Sequence, residues 1–454
     1  MSTPPVHDAA SVAADRRAEP ASALLFNDFI SFGVAPESSD PLRWPEYQAR
    51  LIAARRRSGQ RQAVAAGTAS VNGHLCVAVD FDFNFLGGSM GQAEGELVVH
   101  AIEHAAQRQL PLVSVTRSGG ARMQEGTVAL VQMARIARAL VNLAEWGVPH
   151  IAVADDPTTG GVWASLVAAA DVIIARRGAQ IAFAGARVRS DLAVEHSPAI
   201  AEVKYEAGFI DEVVDNDRLA EAVGNYLGLL SPLTRGATAE PPVPTSRAPR
   251  HSSELTGWDS VLAARNPQRQ RSAQYLADYF ESTAALSGDR VGGRDAQMQC
   301  GLGRRDGRTI AFLFQRGGQI GAAGFRTASR VLALAERLHV PAVTFIDTQG
   351  ADNGAESERQ GVGTAIAELL QQIARCTVPV LSIVVGQGVS GGAIALINPD
   401  NLWMAPDSYL AVIAPESAAA ILKQDPGTVP QVADQLMLSP HQLHGLGLSR
   451  GVVP

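Results

Sequence analysis

Two halves of this chain repeat each other in a single register. Gly87-Gly88-Ser89-Met90-Gly91 matches Gly317-Gly318-Gln319-Ile320-Gly321, and Pro111 matches Pro341. Gly120-Ala121 matches Gly350-Ala351, Val148-Pro149 matches Val378-Pro379, and Gly161 matches Gly391. Every pair lies 230 positions apart (87 to 317, 161 to 391). Chance aligns two glycine-rich loops easily, but it does not hold one register from 87 to 161. The chain therefore carries an internal duplication.

Each repeat runs in the same order. A strand (75–85; 309–314) enters a glycine loop, and a helix follows (94–108; 327–338). A second apolar strand (112–115; 342–346) precedes a glycine turn and another helix. A third (151–154; 381–385) enters a further glycine turn and helix. Short β-branched strands alternating with helical patterns predict an α/β fold, with parallel strands joined by right-handed crossovers. Residues 231–257 are dense in Pro, Ser, Thr and Ala and have no periodic apolar face. They read as a linker between a first domain, 40–230, and a second, 258–454. Residues 1–39 read as a tail and lead-in. The first 22 of them are rich in Ala, Ser, Pro and charge without an apolar signal core, as in the disordered tail of a cytoplasmic protein.

Composition narrows the function classes. The chain has 454 residues, 46% hydrophobic and 18% charged, enough for large cores. A net charge of -7 leaves no basic footprint for nucleic acid. Cys76, Cys300 and Cys376 are far apart and odd in number, which suits buried thiols in a reducing compartment and cannot make a Cys₄ zinc site. No uninterrupted apolar run reaches the ~18 residues of a membrane span, so no membrane partner is expected.

The glycines carry the chemistry. Ser118-Gly119-Gly120-Ala121-Arg122 and Thr158-Thr159-Gly160-Gly161-Val162 each sit between a strand and a helix. So do Thr348-Gln349-Gly350-Ala351 and Val389-Ser390-Gly391-Gly392-Ala393. Amides that open a helix have no intrahelical acceptor, and the helix dipole makes their surroundings positive. Glycine permits the sharp turn and lets a ligand oxygen come close. Any one such turn reads as ordinary chain reversal. Four, paired within each repeat at the same spacing (120 to 161, 350 to 391), read as two backbone oxyanion holes.

Other chemistries find little support. No P-loop lysine follows these glycines, and neither a Ser-His-Asp pattern with a nucleophile elbow nor an HExxH site occurs. His100 and His104 are four apart on a helix, but without a third ligand they read as a solvated or packed face, so no metal is expected. Arg55-Arg56-Arg57 would suit an acidic carrier or a CoA phosphate, but a solvated helix face is the reading favoured.

These motifs resemble a known family, the biotin-dependent acyl-CoA carboxyltransferases. Residues 40–230 are similar to the beta subunit of the acetyl-CoA carboxylase carboxyltransferase through DPLRWPEYQARL, FNFLGGSMG, SGGARMQE, DDPTTGGV and FAGARV. Residues 258–454 resemble its alpha subunit through ARNPQR, SGDR, VTFIDTQGA, ESERQG, GVSGGAIAL and VIAPESAAAIL. The resemblance implies two tandem ClpP/crotonase-like spiral domains. The first would take CoA or another acyl thioester, the second N1-carboxybiotin. Gly119, Gly120, Ala121 and Arg122 would begin the helix at the thioester hole, with Gly160 and Gly161 opposite. Gly350, Ala351, Gly391, Gly392 and Ala393 would hold the biotin ureido oxygen. Gly87, Gly88, Phe183, Gly185 and Arg326 are the further binding residues it implies.

The resemblance also implies carboxybiotin supplied in trans by a biotin carboxyl carrier protein and a biotin carboxylase, since the chain has no Met-Lys-Met biotinyl motif. A homodimer or larger homo-oligomer is expected, because each half has only one hole. Three departures stand out. There is no Cys₄ zinc ribbon. The glycine-rich basic segment is shortened to residues 315–326. The family's Pro-Gly-Ala-Tyr-Pro-Gly reads Gln349-Gly350-Ala351-Asp352-Asn353-Gly354. They leave two other readings open: a biotin-independent decarboxylase of malonyl thioesters on CoA or acyl carrier protein, which needs only the first hole, and a non-catalytic paralogue.

Overall fold

The computed structural model of the chain describes residues 22, 25–33, 37–183, 198–231, 239–248 and 255–454. Two eight-stranded sheets mirror one another. The first consists of β1 (Asn27–Ser31), β2 (Val64–Val71), β3 (His74–Phe81), β4 (Leu112–Ser118), β5 (His150–Thr159), β6 (Val172–Arg176), β7 (Ile181–Ala182) and β8 (Glu212–Val214). Its order is β1-β2-β3-β4-β5-β6-β8, with β7 on β5. The second consists of β9 (Ser282–Ala285), β10 (Met298–Arg305), β11 (Arg308–Gln315), β12 (Ala342–Thr348), β13 (Val380–Val389), β14 (Leu402–Met404), β15 (Tyr409–Ala411) and β16 (Gly451–Val452). Read from β9 it has the same order, with β15 on β13.

The central strands are parallel, as the crossover pattern predicts. Helices cover them, so β12 is buried along its whole length. Antiparallel pairs at one edge of each sheet, β2 with β3 and β10 with β11, have no counterpart in the sequence reading. Two expected bounds also shift. β3 stops at Phe81, not 85, because Asp82–Phe85 folds into a turn in which Asp82 Oδ1 accepts the Asn84 amide. The lead-in is not all tail: Leu25 and Phe26 are buried and Asn27–Ser31 pairs with β2, supplying its exposed edge with a partner. The rest of the expected tail, apart from Ser22, lies outside the described residues up to 24.

The expected linker is docked where it is described. The Pro242 carbonyl accepts from Tyr279 Oη at 2.8 Å, and the Ser246 amide donates to Pro454. Cys76 and Cys300 are buried free thiols, and Cys376 is partly exposed. The helix Gly126–Glu145 belongs to a stretch, Met123–Glu145, that is long and apolar enough to cross a bilayer by length and composition. It packs Ile136, Leu140 and Leu143 against the helix Gln92–Arg108 and leaves Leu130, Val131 and Val141 exposed.

The two halves share an interior. One cluster of buried side chains runs from Val113, Ile151 and Ile174 through Leu227 and Leu230 to Leu313, Val331 and Val384. The helix Leu219–Leu230 seals the junction: Tyr226 Oη donates to the Ala285 carbonyl, and Thr309 Oγ1 donates to the Leu229 carbonyl, both at 2.6 Å. Asp211, fully buried, pins the same seam. Its carboxylate accepts the Ile173 amide from one half and the Ser287 amide, Arg290 and Arg330 from the other.

Removing that carboxylate strands two guanidiniums and two amides. Asp211→Ala is expected to cost about 3–5 kcal/mol, as for other broken buried ion pairs. Urea unfolding would measure it, and an unchanged midpoint would show that the seam does not need this residue.

Candidate active site

The duplicated corners meet within each half. β4 ends at Ser118 and β5 at Thr159, and both chains then turn with positive φ, Gly120 at 98° and Gly160 at 67°. A Cβ on Gly160 would stand 3.0 Å from Gly120 Cα. The second half repeats this with Gly350 at 121° and Ser390 at 57°. There a Cβ on Gly392 would stand 2.5 Å from the Gly350 carbonyl carbon and 2.6 Å from the Ala351 nitrogen. Each corner is thus closed by backbone packed on backbone, which leaves glycine the fitting residue at these close approaches.

Most corner amides already have acceptors. Gly119 donates to the Gly87 carbonyl at 2.9 Å, Gly120 to Ser118 Oγ at 3.1 Å and Arg122 to the Met90 carbonyl at 2.8 Å. Gly350 donates to Thr348 Oγ1 at 3.0 Å. Ala121 and Ala351, held in the equivalent short bridges Met90↔Ala121 and Ile320↔Ala351, alternate with these. Among the described residues their amides meet no acceptor, and neither do those of Gly161 and Gly391. One free amide from each side of each corner is what an oxyanion hole requires.

Several expected roles change. The helix after the first corner begins at Gly126, behind the 3₁₀ turn Met123–Glu125, not at Gly119–Arg122. Arg122 is 1% exposed and points inward, so its side chain does not reach a substrate. It donates to Glu94 at 2.6 Å, to Glu125 at 3.2 Å and to Ser38 Oγ at 2.8 Å. Burial alone would raise the Glu94 carboxyl, but the Arg122 charge and bonds from the Ala63 amide and Ser38 hold it below its usual range. This network braces the corner from behind. Its signal in the sequence is the Arg-x-x-Glu of SGGARMQE, whose partner Glu94 is too distant to pair by inspection.

Gly87 and Gly88 also support the corner. The Gly87 carbonyl receives Gly119, and a Cβ on Gly88 would stand 1.9 Å from the Arg117 carbonyl oxygen. Phe183 follows β7, which pairs with Thr158 and Thr159, and it is 75% exposed beside the first corner. Gly185 lies outside the described residues. Arg326 is committed elsewhere, to Asp289 at 2.7 Å and the Gln360 carbonyl at 2.9 Å. Ala393 is buried in the short helix Ser390–Ile394. His100 and His104 pack against Phe32, with ring centroids 5.4 and 4.6 Å away. Arg55 reaches Glu37 and the Ser38 carbonyl, and Arg57 the Asn84 carbonyl.

Ser390 stands in the sequence only as a member of the fourth glycine turn, with no role of its own. Gly388-Val389-Ser390-Gly391-Gly392 spells G-x-S-x-G on a strand-to-helix turn, and the serine holds a left-handed conformation that costs an L-residue about 1–2 kcal/mol. Among the described residues no hydrogen bond engages its hydroxyl. Beside it lies a cavity of about 380 Å³ lined by Arg265, Gln319, Gln349, Gln387, Val389 and Tyr409. Arg265 is bound there by Glu416, which leaves the wall polar and locally neutral.

A family model described as acetyl co-enzyme A carboxylase carboxyltransferase-like matches residues 245–454. The acetyl-coenzyme A carboxylase carboxyl transferase subunits beta/alpha of Salinispora tropica are 40% identical over 444 residues, 92% of this chain and 78% of that one. The chain belongs to the acetyl-CoA carboxylase carboxyl transferase family. A probable biotin-dependent acyl-coenzyme A carboxylase beta3 subunit of Mycobacterium bovis is 34% identical over 428 residues, 92% of this carboxyltransferase and 85% of that chain. Two solved structures share the fold. Transcarboxylase 12S superposes with a TM-score of 0.75 at 20% identity, covering 94% of this chain and 84% of that chain. A single-chain, multi-domain long-chain acyl-CoA carboxylase superposes with a TM-score of 0.73 at 19% identity, covering 94% and 44%. The tandem crotonase-type architecture expected for this carboxyltransferase is therefore observed, and the chain is an enzyme.

Two outcomes are expected. Gly160→Ala places a methyl against Gly120 Cα and strains a positive φ, so it should lower kcat about 10²-fold or more. Steady-state assay of the variant checks this, and near-normal kcat would contradict a closed corner. His150, at the start of β5, is held down to about 4 by burial, against a weaker upward pull from Asp171. An unfolded histidine titrates near ~6.5, so below that pH the unfolded chain binds the extra proton and native stability falls, by about 3 kcal/mol once pH reaches the folded value. Denaturation across that window should show the loss, and His150→Gln should flatten it.

Proposed function

We propose that this enzyme transfers a carboxyl group from N1-carboxybiotin to the α-carbon of an acyl thioester, using the two corners as opposed oxyanion holes. The observation that carries the reading is the pair of unclaimed amides at each corner, Ala121 with Gly161 and Ala351 with Gly391. In the first, these amides receive the thioester carbonyl oxygen. As the α-proton leaves the thioester for the ureido nitrogen freed of its carboxyl group, negative charge builds on the carbonyl oxygen, and donors already in place stabilise it without reorganising. The residues at the second corner would hold the ureido oxygen, with the Ser390 hydroxyl as a side-chain donor. The adjoining cavity fits such a group: Gln319, Gln349 and Gln387 offer amide donors and acceptors suited to a cyclic urea. Carboxybiotin, when bound there, supplies the carboxyl group.

The carboxybiotin would arrive on a biotin carboxyl carrier protein charged by a biotin carboxylase. The acyl group would ride on CoA or a carrier protein, in the cytoplasm. A homo-oligomer would bring the two kinds of corner together, and the exposed Leu130, Val131 and Val141 offer an apolar face for a second copy. The transcarboxylase 12S neighbour is described as a hexamer, which agrees with this.

The chain, mixed with carboxybiotin-loaded carrier and a panel of acyl-CoAs, is expected to give a carboxylated thioester. Gly392→Ala, which drives a methyl into the Gly350–Ala351 peptide, should abolish it. Ser390→Gly should relieve backbone strain and raise Tm, yet lower kcat. No transfer across the panel would remove the reading. Release of CO₂ from malonyl-CoA without biotin, unaffected by Gly392→Ala, would favour the decarboxylase, which needs only the first hole.

A further inference from the structure

Away from both corners, where the halves join, lies a cavity of about 290 Å³. Arg290, Arg330, Arg337 and Asp171 line it, and Ala333 and Leu334 give it an apolar wall. The arginines are mostly covered, with side chains 17%, 19% and 24% exposed. Arg290 and Arg330 share the single charge of Asp211, and Arg337 pairs with Asp171. Three guanidiniums therefore face two carboxylates, and one positive charge is left over. A seam that needed only ion pairing would be satisfied with one arginine per acid.

The acids have little capacity left. Asp211 also accepts the Ile173 and Ser287 amides, and Asp171 accepts the His150 amide. The arginines do have donors left. Arg290 uses Nη1 on the Phe209 carbonyl and Nη2 on Asp211. Arg330 uses Nε on the Gly288 carbonyl and Nη2 on Asp211 and the Ser287 carbonyl. Arg337 uses Nη2 on Asp171 and weakly Nη1 on the Ala144 carbonyl at 3.4 Å. Arg290 Nε, Arg330 Nη1 and Arg337 Nε thus meet no acceptor among the described residues, and none of the three is sealed from the cavity as a buried orphan.

We propose that this cavity binds a phosphate-bearing anion. Guanidinium forks match phosphate oxygens in charge and spacing, and the low-dielectric walls strengthen the attraction. Ala168 and Asp171 come from the first half and the arginines from the second, so an occupant bridges the halves and tightens the seam. The anion site does not rest on the carboxyl-transfer reading, although its assignment to a CoA thioester would. The phosphate has two possible sources, the nucleotide end of a CoA thioester or a separate small phosphate compound that tunes the enzyme.

The test uses the full chain and two probes, pyrophosphate and adenosine 3′,5′-bisphosphate, at constant ionic strength. Calorimetry is expected to show saturable binding, and thermal unfolding a rise in Tm that matched KCl does not reproduce. Arg337→Gln, at the most exposed of the three guanidiniums, should weaken binding about tenfold or more, and the probe-induced rise in Tm, read against the variant's own unliganded Tm, should shrink with it. Arg337→Lys should retain part of the affinity. Competition between the bound probe and an acyl-CoA assigns the site to the substrate's own nucleotide. Binding without competition assigns it to a separate effector. Absence of saturable binding by either probe, or equal binding to Arg337→Gln, overturns the proposal.

Discussion

The contact of one backbone turn with another across each strand-to-helix corner is the constraint the rest of the molecule serves. Gly120 and Gly160 approach within the distance a single methyl would occupy, as do Gly350 and Gly392. Such an approach requires two adjacent parallel strands ending at matched heights. The β4–β5 and β12–β13 ladders both break register in their last residues, between Thr116 and Ser118 and between Ile346 and Thr348. The departure from regular pairing lets each chain peel away and turn, so the sheet delivers the corners and glycine lets them close.

The two corners are supported differently. Behind the first stands Arg122 with Glu94 and Glu125, joined by Tyr47 and Ser38. Behind the second, Arg269 pairs with Asp347 at 2.6 Å, and Asp347 also accepts the Gln387 amide. Both are buried guanidinium–carboxylate pairs, yet the residues that form them are not equivalent in the repeat. Such pairs contribute little net stability, because desolvation offsets attraction, but losing one partner is costly. They therefore favour one fixed arrangement of the corner, which suits donors that must be in place before charge develops.

Much of this was legible in the chain itself. A constant offset located both corners, and the alternation of β-branched runs with helical patterns gave the parallel order of the central strands. The outer antiparallel strands carry weak strand patterns: β2 and β9 are rich in Ala, Ser and Thr, β10 has two glycines and two arginines, and β1 is a five-residue piece that opens with Asn-Asp. The inward course of Arg122 was also hidden, since a charged residue in a glycine turn reads as solvent-facing until the distant Glu94 is placed beside it. Ser390 is legible in part: its G-x-S-x-G spacing stands in the sequence, whereas its left-handed strain shows only in the backbone angle.

The shared interior also bears on how the duplicated halves can change over time. Apolar packing passes without a break from Ile151 and Ile174 to Val331 and Val384. Close-packed interiors transmit small changes in volume. A substitution near the junction is thus judged by both halves at once, so the copies are free to diverge at their rims while their joined centres stay tied to a common history.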